Sequence, residues 1–156
     1  MSIPARILNL LEKNNVPYEL LRHPPAFTAQ ELAAMEHVPG RDHVKVVVVR
    51  ADGEILLAVV PSNYRIDLAK LSRITGKPTE LVSEDEFDRL FPDCSRGAMP
   101  PFGRLYDLAT YVDRSLAQEE RIVFEAGTHT DAVRMTYEDF ARLAKPRVEV
   151  FAEKLH

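Results

Sequence analysis

A lysine at the mouth of a valine run is the residue of this chain best placed to do chemistry. It stands in His43-Val44-Lys45-Val46-Val47-Val48-Val49-Arg50. β-Branched side chains pack well on a pleated surface and lose rotamer freedom in a helix, so the run predicts a strand. A stretch this apolar predicts burial on both faces. Alternation sends Lys45, Val47 and Val49 to one face and Val44, Val46 and Val48 to the other. An ammonium so placed either snorkels to water along its aliphatic stem or meets an anionic or carbonyl ligand.

A second candidate is the loop Gly97-Ala98-Met99-Pro100-Pro101-Phe102-Gly103. Two glycines and two prolines make a rigid backbone poor in side chains. Such a backbone approaches a small ligand closely, or is simply a tight connection. Its N–H and C=O groups can hold a carbonyl or a ribose hydroxyl without any catalytic side chain. A third is Gly127-Thr128-His129-Thr130-Asp131. Among the histidines (23, 37, 43, 129 and 156), only His129-x-Asp131 resembles a ligand pair, so no metal or other cofactor is expected. Arg96 near Cys94 favours a thiolate, but no base adjoins it, which points to a structural thiol. Lys70, Arg73 and Lys77 share a face if a helical turn persists, and a solvated helix surface is the simplest reading of such a face. There is no Walker loop, Gly-x-Gly-x-x-Gly, Gly-x-Ser-x-Gly or His-Glu-x-x-His.

The elements that must position these residues follow from punctuation. Ile3, Ile7, Leu10 and Leu11 predict a helix over 2–14, with Ser2 as N-cap and Pro4 near the first turn. Residues 17–22 predict a short strand broken by His23-Pro24-Pro25. Thr28-x-x-Glu31 is a capping box opening a helix to about Met35, and Val38-Pro39-Gly40 is a turn. Asp52-Gly53 between apolar runs predicts a type I′ hairpin, with 55–60 as the antiparallel return. Asp67 caps a helix over 68–75 that Gly76 ends. Residues 80–82 predict a strand, Ser83-x-x-Glu86 a helix to about Leu90, and 105–112 and 121–125 two further strands. Residues 132–135 return after the 126–131 loop, a last helix runs from 136 to about 144, and 147–156 pair or dock as a tail. Together these predict one α+β domain over 1–156, a mixed and mostly antiparallel sheet flanked by helices.

The chain has 156 residues, enough for one real core, and a formal net charge of −4, which argues against broad wrapping of DNA or RNA and leaves room for a local basic patch. Its apolar runs are too short to span a membrane, and its N-terminus lacks the pattern of a signal peptide. A single cysteine excludes an internal disulfide and fits a reducing cytoplasm.

In order along the chain come the lysine opening its valine strand, the Asp-Gly hairpin, and Arg65-Ile66-Asp67-Leu68-Ala69-Lys70-Leu71. Gly97-x-x-x-Pro101-Phe102-Gly103 and Phe124-Glu125-Ala126-Gly127 follow. From about residue 3 to about 145 this set resembles the YbaK / prolyl-tRNA-synthetase-associated editing domain family. The resemblance implies a deacylase that hydrolyses the ester of a mischarged tRNA in trans, typically alanine or cysteine on tRNA(Pro). It implies a catalytic set of Lys45, Gly97, Pro101 and His129, with Lys45 as a substrate anchor rather than a base. Phe102, Gly103, Gly127 and Thr128 become substrate-binding residues, and Arg41, Lys70, Arg73 and Lys77 become phosphate contacts. The implied partners are the tRNA acceptor end and an aminoacyl-tRNA synthetase, with neither DNA nor membrane. Two other readings remain open: a non-catalytic module binding a small ligand or the tRNA end, and a hydrolase of another small acyl ester.

Overall fold

A computed structural model describes residues 2–24 and 40–155. Helix α1 (Ala5–Lys13) opens after Pro4, which occupies the N-cap position in place of the expected Ser2. Proline suits a helix start because its missing N–H would be unbonded there anyway. Strand β1 (Glu19–Arg22) follows, two residues later than expected. The helix expected from Thr28 to Met35 lies outside the described residues, as do Val38 and Pro39 of the expected turn.

Strands β2 (Val44–Ala51) and β3 (Glu54–Pro61) pair antiparallel from Val44↔Pro61 to Ala51↔Glu54. The hairpin forms where Asp52-Gly53 predicts it, but the turn is not type I′. The left-handed conformation belongs to Asp52, at φ 58°, and not to Gly53. Aspartate tolerates that region better than most residues, and the Asp52 N–H is fixed by the Pro78 carbonyl at 3.0 Å.

Strand β4 (Tyr64–Ile66) is too short to carry a sequence pattern and was not expected. Helix α2 (Leu68–Thr75) matches expectation. The Asp67 carboxylate accepts from the N–H groups of Ala69 and Lys70, and Gly76 ends the helix at φ 72°. Strand β5 (Thr79–Leu81) and helix α3 (Glu84–Asp88) follow, with the Ser83 hydroxyl accepting from the Glu86 N–H.

Residues 105–112 are not one strand. Gly103–Tyr106 coils into a 3₁₀ turn, Asp107 takes φ 58°, and β6 is only Ala109–Asp113. The cause is a local closure that apolar patterning does not reveal. The Gly103 N–H donates to Thr110 Oγ1 at 3.0 Å, and the Leu108 N–H donates to the Gly103 carbonyl at 2.9 Å. The rest is α4 (Arg114–Ala117), β7 (Arg121–Glu125), β8 (Asp131–Thr136), α5 (Tyr137–Ala144), β9 (Arg147–Glu149) and β10 (Ala152–Lys154).

The largest sheet has the order β5-β2-β3-β6-β9, with β3–β6 and β6–β9 parallel. A second sheet, β1-β8-β7, is antiparallel, and β10 pairs with β4. This is an α+β fold of mixed sheets flanked by helices.

Strand β2 lies between two cores. Val44, Val48, Met99, Phe102, Phe124 and Phe140 belong to the larger, and Val49, Leu71 and Phe151 to the smaller. Buried Asp113 ties the tail to the second. Its Oδ1 accepts from the N–H groups of Phe151 and Ala152, at 2.8 and 2.9 Å. Seating the fully buried Phe151 ring contributes about 2 kcal/mol.

Candidate functional site

Two loops meet at the end of the larger core. The Gly127 N–H donates to the Ala98 carbonyl at 2.8 Å, and the Ser95 N–H donates to the Gly127 carbonyl at 2.8 Å. Gly97 and Gly127 both sit in the left-handed region, at φ 82° and 86°. Glycine is required at Gly127 for a second reason: a Cβ there would collide with the Pro4 ring at the start of α1. Gly97 is exposed, whereas Ala98 through Gly103 are buried.

His129 spans the gap between the loops. Its Nε2 lies 2.6 Å from the Arg96 carbonyl and its Nδ1 lies 3.3 Å from Glu125 Oε2. Facing a carbonyl, Nε2 carries the hydrogen. Thr128 is buried and donates to Asp131 Oδ2 at 2.7 Å, while Arg22 pairs with Asp131 Oδ1 at 3.3 Å. Asp131 therefore closes its own loop and holds the end of β1 beside it. Neither role was visible in the sequence, where Asp131 stood only as half of a possible ligand pair.

The Phe102 ring packs edge-on against Phe124 and Phe140, with centroids 5.5 and 5.3 Å away. The Gly103 N–H is taken by Thr110, so neither residue is free to move with a ligand. Pro101 is buried between them and the exposed Gly97.

Lys45 stands on the other side of β2. Its strand register opposite Val60 puts it with Val47 and Val49, on the face of the smaller core. It is half-buried, and its ammonium donates to the Tyr64 carbonyl at 2.5 Å. Burial pushes its pKa below the ordinary lysine value. The structure thus brings Gly97, Pro101, Gly127, Thr128 and His129 together through their loops, and holds Lys45 apart at the mouth of its strand.

The expected phosphate contacts are partly neutralised. Arg41 lies 3.9 Å from Asp42 and 3.8 Å from Glu119, and Lys70 lies 3.9 Å from Glu153. Lys77 pairs with Glu54 at 3.2 Å, and it lies beyond the Gly76 cap, so it does not extend the helix face of Lys70 and Arg73.

Cys94 is a buried thiol 3.3 Å from the Tyr106 hydroxyl. Burial, chiefly, pushes its pKa up to about 11, against the opposing hydrogen bond from Tyr106. Arg96 is turned away toward Asp85 and Asp88, at 3.1 and 3.6 Å. At pH 8 only about one such thiol in a thousand is a thiolate. The native protein is therefore expected to resist a dithiobis-nitrobenzoate reagent at pH 8, and to react fully once unfolded in guanidinium. Fast native labelling would contradict this geometry.

Comparison with known proteins decides what this arrangement belongs to. Residues 23–143 match the family model for the aminoacyl-tRNA editing domain. The chain belongs to the aminoacyl-tRNA editing domain family. Editing an aminoacyl-tRNA means hydrolysing its ester, so this editing domain is an aminoacyl-tRNA deacylase, as the sequence resemblance implied. The prolyl-tRNA editing protein ProX of Acetoanaerobium sticklandii is 25% identical over 97% of this chain and 96% of its own length. Proline–tRNA ligase 1 of Streptomyces avermitilis is 35% identical over 54% of this chain, and that match spans 15% of the ligase. Two crystal structures share the editing-domain fold. Hypothetical protein APE2540 has a TM-score of 0.86 at 21% identity, covering 95% of this chain and 99% of its own. A candidate trans-editing enzyme for prolyl-tRNA synthetase has a TM-score of 0.82 at 24% identity, covering 97% and 99%. Among the described residues, no helix is long and apolar enough to cross a membrane.

Proposed function

We propose that this editing domain acts in trans and releases a small wrong amino acid from tRNA, with alanine or cysteine on tRNA(Pro) as the leading substrates. The observation that carries the reading is the end-to-end match to a prolyl-tRNA editing protein, over 96% of that protein's length. The match to a fragment of a proline–tRNA ligase points to the same tRNA, and makes a synthetase a natural partner.

The chemistry asks little of side chains. An aminoacyl ester is already activated, so orienting water and stabilising the oxyanion suffice. Water adds to the ester carbonyl carbon, the bond to the ribose oxygen breaks, and that oxygen leaves with a proton. The resemblance implies that the neighbouring ribose hydroxyl of the tRNA assists, which fits a site built without a nucleophile–base pair. In this reading the Gly97–Pro101 loop receives the aminoacyl group, and Lys45, held across β2 on the Tyr64 carbonyl, anchors a part of the substrate outside that loop. Gly127 and Thr128 shape the facing loop, and His129 fixes the distance between the two loops.

In this reading the loop of buried backbone and proline sorts its guest by size. One methylene is worth only about 1–3 kcal/mol in a binding pocket, so a synthetase needs a second sieve for amino acids smaller than its own. The test is a panel of tRNA(Pro) charged with alanine, cysteine, serine or proline, followed by release of labelled amino acid. Alanine or cysteine is expected to leave fastest, with prolyl-tRNA(Pro) resistant. Release of proline at the same rate, or of nothing from any charged tRNA, would overturn the proposal.

A further inference from the structure

The C-terminal end of the Gly97–Gly103 segment forms the wall of a separate cavity of about 470 Å³. Leu10, Phe102, Leu105 and Leu143 give it an apolar floor, and Arg104, Arg142 and Lys145 give it a cationic rim. None of the described residues lining it is acidic. That is unlike the Arg41 cavity, whose lining includes Glu119, and the Arg50 cavity, whose lining includes Asp52 and Glu80. Three cations converging in one concavity concentrate positive potential, in a protein whose formal net charge is −4.

The cations come from two elements. Arg104 lies on the 3₁₀ turn and donates to a neutral group, the Leu143 carbonyl, at 3.0 Å. Arg142 is in the last turn of α5 and pairs with Asp139 at 3.1 Å. Lys145 is exposed and caps α5 in the left-handed conformation, at φ 48°. Two basic residues at a helix C-terminus offset its dipole, which alone would account for Arg142 and Lys145. Arg104 reaches across the chain to the Leu143 carbonyl and so joins them in capping the same helix end, but capping does not account for an apolar floor between the charges.

We infer that this cavity is a subsite for the single-stranded 3′ end of the tRNA, taking backbone phosphates on its rim and a base on its floor. The inference rests on the deacylase reading above. Single-stranded RNA is held by arginine and lysine along its backbone and by bases stacked on aromatic rings or guanidinium planes, and Phe102, Arg104 and Arg142 line this cavity. The cavity is large enough for one nucleotide. Gly97 and Phe102 are joined by five peptide units, at most about 18 Å. Phosphates of the last few nucleotides before the ester therefore fall within reach of the rim. This site differs from the Lys70 and Arg73 face in setting its cations around an apolar concavity; in each, one cation is paired, Arg142 with Asp139 and Lys70 with Glu153.

The test measures binding of a fluorescent, uncharged RNA oligonucleotide ending in CCA to the whole protein, as a function of salt, with deacylation of charged tRNA run in parallel. Arg142→Gln/Lys145→Gln is expected to weaken binding at least tenfold and to reduce the salt slope by about 1.4, as for two lost single-strand phosphate contacts. Arg121→Gln/Arg147→Gln, two exposed cations outside the cavity, is expected to change binding less than twofold. Unaltered thermal unfolding of the cavity variant confirms that the helix end survives. Should that variant unfold early, Arg142→Glu alone, on the exposed side of the rim, is expected to weaken binding by a similar factor. Wild-type binding with the rim neutralised, or no RNA binding by the native protein, overturns the inference. Rim-dependent binding without any deacylation upholds the subsite and overturns the deacylase reading instead.

Discussion

Lys45→Ala is expected to lower kcat/KM for deacylation by at least about a hundredfold, the cost of losing the substrate anchor proposed for its ammonium. The protein should stay folded. Burial depresses the Lys45 pKa, which means the fold disfavours the charged form. Below its folded pKa the lysine is protonated in both states and the folded state carries the desolvation cost. As pH rises from the folded towards the unfolded value, the folded state releases its proton first and stability increases. An apolar replacement of similar length, Lys45→Met, should therefore show a thermal midpoint at pH 7 no lower than wild type, with activity lost. Retaining such a cation is consistent with function and not with stability. Activity carried by an ammonium must also fall on the alkaline side below 10.5, the ordinary lysine value. Full activity in Lys45→Ala would remove it from the mechanism, and a collapsed fold would make it structural.

Gly103→Ala should be the most damaging small substitution in the loop. A Cβ there would lie 2.5 Å from the Leu108 carbonyl oxygen and 2.6 Å from Thr110 Oγ1. One of these is backbone, so the 3₁₀ turn itself has to move, and the Gly103–Thr110 hydrogen bond goes with it. Overpacking of this kind costs about 3 kcal/mol. In a chain of this size that is a fall of roughly 6–12 °C in Tm. Gly53→Ala is the control: nothing lies within 4 Å of a Cβ there, and its φ is not left-handed, so the change should be within about 0.5 kcal/mol. Equal stability of the two variants in urea titration would show that the turn is not tightly held. Deacylation by Gly103→Ala at low temperature, where it is still folded, reports whether the turn also sets the shape of the loop.

Several elements were legible because their signals are local. The valine run pairs with 54–61 across an Asp-Gly turn, and α2 starts and stops at Asp67 and Gly76, where side-chain capping and a left-handed glycine put it. Strand β7 follows its apolar run. The candidate loops were legible as glycine and proline composition, and the family as their order. Leu105 and Tyr106 misled because an apolar pair reads alike in a strand and in a 3₁₀ turn. What chooses between them is a bond from Gly103 to Thr110, seven residues away.

The sequence by itself determined where the backbone turns, which residues are apolar enough to be core, and that this chain is built like an aminoacyl-tRNA editing domain. Those depend on residue types and short spacings. Only the tertiary structure decided which of the singled-out residues meet. Gly127 bonds to Ala98, and His129 reaches the Arg96 carbonyl, because β7 and β8 carry their loop to the 97–103 segment. The parallel pairings of β3 with β6 and of β6 with β9 come from long-range packing that no local pattern encodes. The same packing joined Arg104 to Arg142 and Lys145 around one cavity, and set Glu54 and Glu153 against the lysines that looked better suited to phosphate. Charge is a property of the sequence, but whether it is cancelled or concentrated depends on which elements the fold brings side by side.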